Sequence, residues 1–287
     1  MAANPTIAIL GSGRLGRALA TELIDAGYSI TELISRKSSA SQAKARKLAK
    51  SLHALPATIE NAKLDAGLLW LCVPDREIAR VGRELAARGT GKTWKGKVVF
   101  HSSGALASDE LNALRRKGAA VASVHPFMTF VAGSSPRLEG VPFAVEGDDV
   151  ALRVARKIVK SVGGTTLSLR KKDKIAYHAW ATLCSPLLIA VLVTGEQAGR
   201  IAGFSPANAR RKMLPIVMQT LANYRDLGPS AAFSGPIVRG DADIVRRHLQ
   251  VWNRSPGIKQ AYLALARLAL RHLPVQNREK LNQVLHP

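Results

Sequence analysis

The 287-residue sequence contains only two cysteines, Cys72 and Cys184, and both lie in apolar runs. Two cysteines at this separation provide neither a disulfide framework nor the spacing of a zinc site, so we expect both to be small, buried hydrophobic residues and predict no metal site. The sequence does not open with a basic segment followed by an apolar core, so no secretion signal is predicted. These features favour a cytoplasmic protein.

Aromatic residues are also scarce, at 5% of the chain, whereas positive charge is abundant, with a formal net charge of +22. Lys and Arg outnumber Asp and Glu by 20 to 12 in residues 1–147 and by 22 to 8 in residues 148–287. Such an excess attracts polyanions, phosphorylated cofactors and acidic substrates. Because zinc-finger spacing and aromatic stacking motifs are both missing, we predict no specific nucleic-acid partner. A nucleic-acid-associated basic protein is therefore the last of three functional interpretations.

The most informative stretch is residues 6–20, where a β-type apolar run leads into G-x-G-x-x-G and an Ala/Leu-rich helical pattern. A strand-to-helix junction is the context that the dinucleotide fingerprint needs. Gly11 would permit the tight turn, Gly13 would let a pyrophosphate approach the backbone, and Gly16 would let the helix pack closely on the strand. The first N–H groups of that helix lack intrahelical partners and suit an anion. The predicted cofactor-binding residues are Gly11, Ser12, Gly13, Arg14, Leu15 and Gly16, and a glycine turn without a ligand is the alternative.

The end of the next predicted strand, residues 29–34, distinguishes the two nicotinamide cofactors. Arg36 lies 20 residues beyond Gly16, near the place where NAD enzymes carry an acidic residue for the ribose hydroxyls. An acid would repel a 2′-phosphate, whereas two adjacent cations would bind it, so we predict NADP(H) as the cofactor. The predicted phosphate clamp consists of Ser35, Arg36, Lys37 and Ser38. The alternative is the solvated basic start of a helix.

Strand patterns alternate with helical patterns over residues 1–169, which predicts an α/β, Rossmann-like, doubly wound and mostly parallel sheet. Polar residues follow several of these strands, notably at 73–75, at 101–104 and at His125. Because the carboxyl ends of parallel strands share one edge, we expect these loops to surround one crevice. The further cofactor contacts predicted there are Val73, Pro74, Asp75, Ser102, Ser103 and Gly104.

Strand patterns end near Lys171, and residues 170–287 predict an all-α domain. Residues 175–194 carry no charge and are numerous enough to span a membrane. Because Pro186 and polar residues interrupt this stretch and no second span follows, we instead predict no membrane span. The preferred interpretation is a central helix that is buried all round by its neighbours, with a second subunit as a further cover, and kinked at Pro186. Further helices are predicted near 206–227, 241–252, 256–272 and 275–284, with Asp241 as an N-cap.

Hydride transfer needs a group that moves a proton near neutral pH, and histidine, lysine and tyrosine suit that task. His101 and His125 follow strands at the predicted crevice. Lys174, Tyr177 and His178 lie at i, i+3 and i+4, so they share one helix face. These five are the candidate catalytic residues. The alternatives are structural hydrogen-bond partners for the histidines and a solvated cation for Lys174.

Several longer segments occur in an order that is found in a known group of proteins. They are the glycine fingerprint, Val73-Pro74-Asp75, His101–Leu106, Ser123–Phe127, Lys174–Ala179 and Ser234–Asp241. Together they resemble bacterial Rossmann-like oxidoreductases with a helical C-terminal domain of unknown function. That group is similar to pyrroline-5-carboxylate reductase and, more distantly, to the β-hydroxyacid and 6-phosphogluconate dehydrogenases. The resemblance covers nearly the whole chain and implies NADP-dependent chemistry and a homodimer formed through the helical domain.

The resemblance also implies roles for individual residues. In the 6-phosphogluconate-type relatives, a lysine on the first helix of the helical domain is followed at the third and fourth positions by His-Asn. Lys174 matches that lysine, and Tyr177 and His178 stand in place of His-Asn. The pattern of the group leads us to expect an asparagine about seven residues further on, where this chain has Ser185-Pro186. We therefore expect Tyr177 or His178 to share the proton transfer with Lys174.

The loop Gly235–Asp241 has two interpretations. Arg239 could bind an anionic substrate group with two parallel hydrogen bonds. Alternatively, the loop is a rigid helix connector capped by Asp241. For the whole chain, we predict an NADP(H)-dependent oxidoreductase acting on a small, anionic carbonyl, imine or hydroxy compound. The second interpretation is a non-catalytic NADP-binding or sensing protein.

Overall fold

The computed structural model describes residues 4–36, 38–88, 91–134 and 136–286. The chain divides into two compact units, Met1–Thr182 and Leu183–Pro287, which are described separately. The division predicted from the sequence, at residues 169 and 170, follows the end of the strand pattern and stays a prediction.

An eight-stranded sheet forms the centre of the first unit. Its strands are β1 (Ile7–Leu10), β2 (Ile30–Ser35), β3 (Leu55–Thr58), β4 (Leu68–Leu71), β5 (Val98–His101), β6 (Ala120–Pro126), β7 (Pro142–Gly147) and β8 (Thr165–Ser168). Their order is β3-β2-β1-β4-β5-β6-β7-β8, and every neighbouring pair is parallel except β6 and β7. The predicted Rossmann-like, mostly parallel sheet is confirmed. The chain reverses its winding direction between β1 and β4, which is where open α/β sheets bind ligands.

Both faces of the sheet are covered, which explains the continuous apolar runs of its central strands. Ile7 and Ile9 of β1 point into one core, while Ala8 and Leu10 point into the other, and all four are at most 1% exposed. The helices of this unit are α1 (Arg14–Asp25), α2 (Ser39–Ser51), α3 (Asp75–Arg88), α4 (Gly91–Trp94), α5 (Asn112–Arg115) and α6 (Asp149–Ser161), and α7 (Lys174–Cys184) begins in it.

The segment between β5 and β6 contains little regular helix. A 3₁₀ turn over Ser108–Leu111 precedes the four-residue α5. The backbone N–H and the hydroxyl of Ser108 both donate to the buried carboxylate of Glu146, at 2.8 Å each. These bonds fix the start of the turn to the sheet, so the local helical preference does not decide its geometry.

The second unit is helical. It contains α8 (Pro186–Ile201), α9 (Pro206–Ala232), α10 (Ala242–Val251), α11 (Pro256–His272) and α12 (Arg278–Leu285). The last three helices enclose a small core that includes Val245, Leu270 and Leu281. Helix α9 bends at Gly228, whose φ of 76° is not helical.

The structure of the uncharged stretch 175–194 confirms one prediction and contradicts another. The helix breaks at Ser185, and Pro186 occupies the first position of α8, where the missing N–H has no intrahelical acceptor. However, α8 has no buried residue, and Ile189 is 58% exposed. The prediction of a helix buried by its neighbours is therefore wrong within one chain. By length and composition alone, Lys171–Ile201 is apolar enough to cross a membrane.

The two cysteines differ in their burial. Cys72 is partly buried at the end of β4, whereas Cys184 at the end of α7 is exposed. The prediction that both are buried is wrong for Cys184, because the helix that carries it lacks a cover.

Candidate functional site

Each glycine of the first loop has its own steric environment. Gly11 has a φ of +113°, and a Cβ there would lie 2.3 Å from the carbonyl oxygen of Cys72. A Cβ on Gly16 would lie 1.9 Å from the carbonyl oxygen of Gly11. No atom lies within 4 Å of the Cβ position of Gly13. The protein's own packing therefore requires the first and third glycines, whereas the space beside the second is open to a ligand.

The N-terminus of α1 beside this open space is suited to an anion. Gly13 is its N-cap residue, no side chain caps it, and its first turn contains no acidic residue. The free N–H groups and the positive end of the helix dipole both favour a negative group there. Arg14 is exposed in the same turn, and the half-buried Leu15 packs on the core beneath it.

The residues of the predicted phosphate clamp lie in different environments. Arg36 is exposed just beyond β2. Ser35 is 3% exposed and its hydroxyl donates to the carbonyl oxygen of Ala57 at 3.3 Å, so it belongs to the sheet. The hydroxyl of Ser38 accepts the N–H of Ser41 and caps α2. Lys37 lies outside the described residues.

The loop after β5 is fastened to the loop after β4. The hydroxyl of Ser103 donates to the carboxylate of Asp75 at 2.8 Å and accepts the N–H groups of Ala105 and Leu106. Ser102 accepts the indole N–H of Trp70 at 2.8 Å. These hydroxyl groups are therefore engaged in shaping the loop 102–106.

His101 also holds this loop. It is 0% exposed, its Nδ1 accepts the N–H of Ser103 at 3.1 Å, and its Nε2 lies 3.1 Å from the carbonyl oxygen of Ala107. Nε2 must carry the proton, because a carbonyl can only accept. Burial lowers the pKa of His101 to about 4, so the ring is neutral. With both nitrogens engaged, His101 is a positioning residue.

Helix α7 runs alongside the end of β6. Two alternate residues of the strand, and the residue that directly follows it, meet every third residue of the helix. The three pairs are Ser123 with Lys174, His125 with Tyr177, and Phe127 with Trp180. The match is approximate, since two strand residues advance about 6.7 Å and three helical residues about 4.5 Å. We call these six residues the β6–α7 ladder.

Lys174 forms the first and most buried pair. It is 1% exposed, and its Nζ donates to Ser123 Oγ at 2.6 Å and to the carbonyl oxygen of Ser103 at 3.0 Å. Burial lowers its pKa to about 8, against the opposing effect of the carboxylates of Glu146 and Asp75. The alternative that Lys174 is a solvated surface cation is therefore wrong.

The second pair combines a histidine and a tyrosine. A 2.8 Å hydrogen bond joins His125 Nδ1 to the hydroxyl of Tyr177. Burial, followed by the nearby charges of Lys174 and His178, lowers the pKa of His125 to about 4. Burial also raises the pKa of Tyr177 above its ordinary value. Both groups are therefore neutral at neutral pH.

Gly104 brings a second histidine to this pair. A Cβ on Gly104 would lie 2.8 Å from Cδ2 of His178 and 3.0 Å from Nε2 of His125. The exposed His178 thus lies beside the partly buried His125. The structure brings four predicted site residues together at the edge of the sheet: Gly104, His125, Tyr177 and His178.

Arg239 lies in the second unit, where its guanidinium pairs with Asp241 at 2.9 Å. Asp241 is the N-cap residue of α10 but makes no side-chain cap bond, because its carboxylate is turned to Arg239. A Cβ on Gly240 would lie 2.4 Å from the carbonyl oxygen of Gln276. These contacts favour the rigid connector, and substrate binding by Arg239 stays a prediction.

Sequence reasoning missed several members of the site. Ser123, Phe127, Glu146 and Trp180 were not predicted as site residues. The alternation of 123, 125 and 127 at a strand end was a signal for the first two, since such residues share one face. Among the described residues, no group of three or more His, Cys, Asp or Glu side chains could hold a metal ion.

Two family models match successive parts of the chain. One family model, the Rossmann-like domain, matches residues 2–126, and another, the domain of unknown function DUF2520, matches residues 141–269. No curated protein matches the sequence significantly. The resemblance predicted from the sequence is confirmed for both parts of the chain.

Solved structures share the fold over nearly the whole chain. The putative NADP oxidoreductase BF3122 of Bacteroides fragilis has a TM-score of 0.74 at 19% identity, covering 92% of this chain and 97% of its own. A reductive aminase of Aspergillus terreus in complex with NADPH and ethyl-5-oxohexanoate has a TM-score of 0.66 at 19% identity, with 98% and 99% covered. Pyrroline-5-carboxylate reductase of Coxiella burnetii has a TM-score of 0.59 at 16% identity, with 94% and 98% covered.

Proposed function

We propose that this chain, a Rossmann-like domain followed by a DUF2520 domain, is an NADP(H)-dependent oxidoreductase that acts on a small, anionic carbonyl, imine or hydroxy compound. The observation that carries the proposal is the loop Gly11–Gly16, which is crowded at both ends and open at Gly13. The structural neighbours named for NADP or crystallised with NADPH support the same cofactor for this chain.

The chain's own residues fit an NADP(H) molecule at this edge. The uncapped N-terminus of α1 would hold the pyrophosphate, and exposed Arg36 would pair with the 2′-phosphate. When bound, the nicotinamide supplies or accepts the hydride. Ser103 and Asp75 contribute by fixing the loop 102–106, which contains Gly104.

We assign the proton transfer to the pair of His125 and Tyr177. Lys174 is a weaker candidate, because it is 1% exposed and two of its three N–H groups are already donated to Ser103 and Ser123. In the direction of reduction, the Tyr177 hydroxyl gives its proton to the reacting heteroatom. His125, in the tautomer whose Nδ1–H donates to Tyr177 at 2.8 Å, replaces that proton, and its Nε2 takes up another from solvent. Exposed His178 beside His125 connects the pair with solvent.

The second unit carries the proposed dimer contact. Helices α8 and α9 leave large apolar side chains exposed, among them Ile189 at 58% and Ile216 at 70%. Large apolar side chains exposed on two helices that pack against each other are characteristic of protein interfaces. We propose that a second copy of this chain covers it, in line with the homodimer that the sequence resemblance implies.

The oxidoreductase proposal is tested by titrating the purified chain with NADPH and NADH, followed by a screen of keto acids, cyclic imines and hydroxy acids for NADPH oxidation or NADP⁺ reduction. We expect NADPH to bind more tightly than NADH and at least one class to be turned over. If the two cofactors bind equally weakly, Arg36 does not bind the 2′-phosphate. Tight NADPH binding without any turnover would replace the proposal with the binding or sensing interpretation.

The dimer is tested by sedimentation of the chain and of Ile216→Lys, with Val150→Lys on the exposed face of α6 as the matched control. Both residues are exposed, at 70% and 50% respectively. We expect dimers for the unmodified chain and for the control, and monomers for Ile216→Lys. A monomer at all concentrations, or retention of the unmodified chain by lipid vesicles, would contradict the proposed contact.

A further inference from the structure

The third pair of the β6–α7 ladder has no role in hydride or proton transfer. Phe127 and Trp180 stack with ring centroids 4.6 Å apart and planes inclined by 31°. Tyr177 touches both, at centroid distances of 5.6 Å from Phe127 and 6.2 Å from Trp180. An aromatic surface thus extends without interruption from the proton-transfer pair toward solvent.

Trp180 is the open end of this surface. It is 50% exposed, whereas Tyr177 is 5% exposed and Phe127 is partly buried. Trp180 therefore presents a large apolar area within two turns of the buried amine of Lys174. A ligand whose reacting atom reaches Tyr177 would extend along this surface.

The arrangement of the rings selects the kind of group that can bind. In an aromatic cage for a cation, the ring faces surround an empty centre. Here the faces of Phe127 and Trp180 lie against each other, so no group can enter between them. Lys174, about 9 Å away along the helix, also repels a cation. A planar, uncharged group stacked on the outer face of the indole continues the existing stack.

We propose that Trp180, supported by Phe127, forms a subsite for an aryl substituent on the carbonyl or imine substrate. The inference rests on the proposed oxidoreductase function and narrows its substrate class. The carbonyl or imine carbon lies toward Tyr177, and the aryl group lies over the indole.

The first experiment measures binding without turnover. The NADP⁺-loaded chain is titrated with phenylacetate, 3-methylbutanoate and acetate while tryptophan emission is recorded. Phenylacetate should shift the emission of the half-exposed indole to shorter wavelength, and Trp180→Phe should abolish the shift. An equal shift with 3-methylbutanoate, or a shift that persists in Trp180→Phe, would overturn the aryl subsite.

The second experiment compares phenylpyruvate, 4-methyl-2-oxopentanoate and pyruvate as substrates. Trp180→Ala should raise the KM for phenylpyruvate about 2- to 12-fold relative to the KM for pyruvate. This factor corresponds to the loss of one aromatic pair. Trp180→Phe should restore most of this preference. Ile175→Ala is the matched control, because Ile175 is 67% exposed on the same helix and outside the ladder.

The outcomes separate this inference from the proposed function. If phenylacetate shifts the Trp180 emission but no compound is turned over, the function fails and the subsite stands. If substrates are turned over with no aryl preference and no shift, the subsite fails and the function stands. If Trp180→Ala and Ile175→Ala change the KM values alike and dissociate the protein, Trp180 belongs to a subunit contact and the inference is overturned.

Discussion

Replacing Gly13 with alanine should weaken NADPH binding without destabilising the fold. No atom lies within 4 Å of the added Cβ, and the φ of −70° suits alanine. Alanine lowers the entropy of the unfolded chain, which stabilises by about 0.4–1 kcal/mol. It is also a poorer N-cap than glycine, at a cost of about 0.5–1 kcal/mol. These effects offset each other, so the unfolding free energy should change by no more than about 0.5 kcal/mol.

The binding of the dinucleotide should respond quite differently. The methyl group would occupy the space through which the pyrophosphate approaches the backbone. An overpacked contact costs about 1–3 kcal/mol, which corresponds to an increase of about 5- to 150-fold in the Kd for NADPH. NADH should lose affinity by a similar factor, because both cofactors carry the same pyrophosphate.

Gly16→Ala provides the opposite control. Its Cβ would lie 1.9 Å from the carbonyl oxygen of Gly11, so backbone must move. A cost of about 1–3 kcal/mol would lower Tm by about 2–12 °C.

Thermal unfolding without cofactor and fluorescence titration with NADPH measure the two effects separately. If Gly13→Ala lowers Tm as much as Gly16→Ala and leaves the Kd unchanged, the open space at Gly13 is not a ligand site.

Three further substitutions test other parts of the site. Arg36→Asp should raise the Kd for NADPH about 10- to 150-fold, because it removes a charge-assisted hydrogen bond, and should leave the Kd for NADH unchanged. An equal increase in both Kd values would contradict the 2′-phosphate contact. Tyr177→Phe should lower kcat about 10²- to 10⁴-fold with little change in Tm, and an unchanged kcat would exclude Tyr177 as the acid. Lys174 has a pKa of about 8 in the folded chain, against an ordinary value of 10.5. Between these pH values the unfolded chain binds more protons than the folded chain. The free energy of unfolding should therefore rise by up to about 3 kcal/mol from pH 8 to 10.5. Lys174→Met should remove that rise, which denaturant titrations of both chains across this pH range can measure, and an identical pH profile would refute the buried charge.

Much of the sheet could be predicted because its central strands are buried on both faces. Runs such as Leu68–Leu71 are apolar throughout, and the polar residues that follow them mark the strand ends. The glycine fingerprint was equally informative, since packing requires Gly11 and Gly16 while the space beside Gly13 is open. The sequence did not show that Ser35 lies inside the sheet, because β2 continues one residue beyond its apolar run and Ser35 pairs there with Thr58.

The features of the fold and of the site that could not be predicted from the sequence depend on long-range contacts. An uncharged helix is predicted to be buried, but composition does not identify the residues that would cover it. In the structure, α8 has no buried residue. Lys174 follows a basic segment that suggests solvent, yet its amine meets Ser103 and Ser123, 71 and 51 residues away. The antiparallel turn from β6 to β7 is what returns the chain so that α7 can meet β6, and no local pattern indicated it.

The β6–α7 ladder makes chain length a constraint in its own right. One residue inserted between Ser123 and Phe127 would turn the later strand residues to the opposite face of the sheet. One residue inserted between Lys174 and Trp180 would rotate the later partners by about 100° around the helix. Single substitutions can exchange one pair and spare the other two, whereas an insertion or deletion in either segment displaces every pair that follows it. Divergence at this edge should therefore proceed by replacement within pairs, at a fixed number of residues.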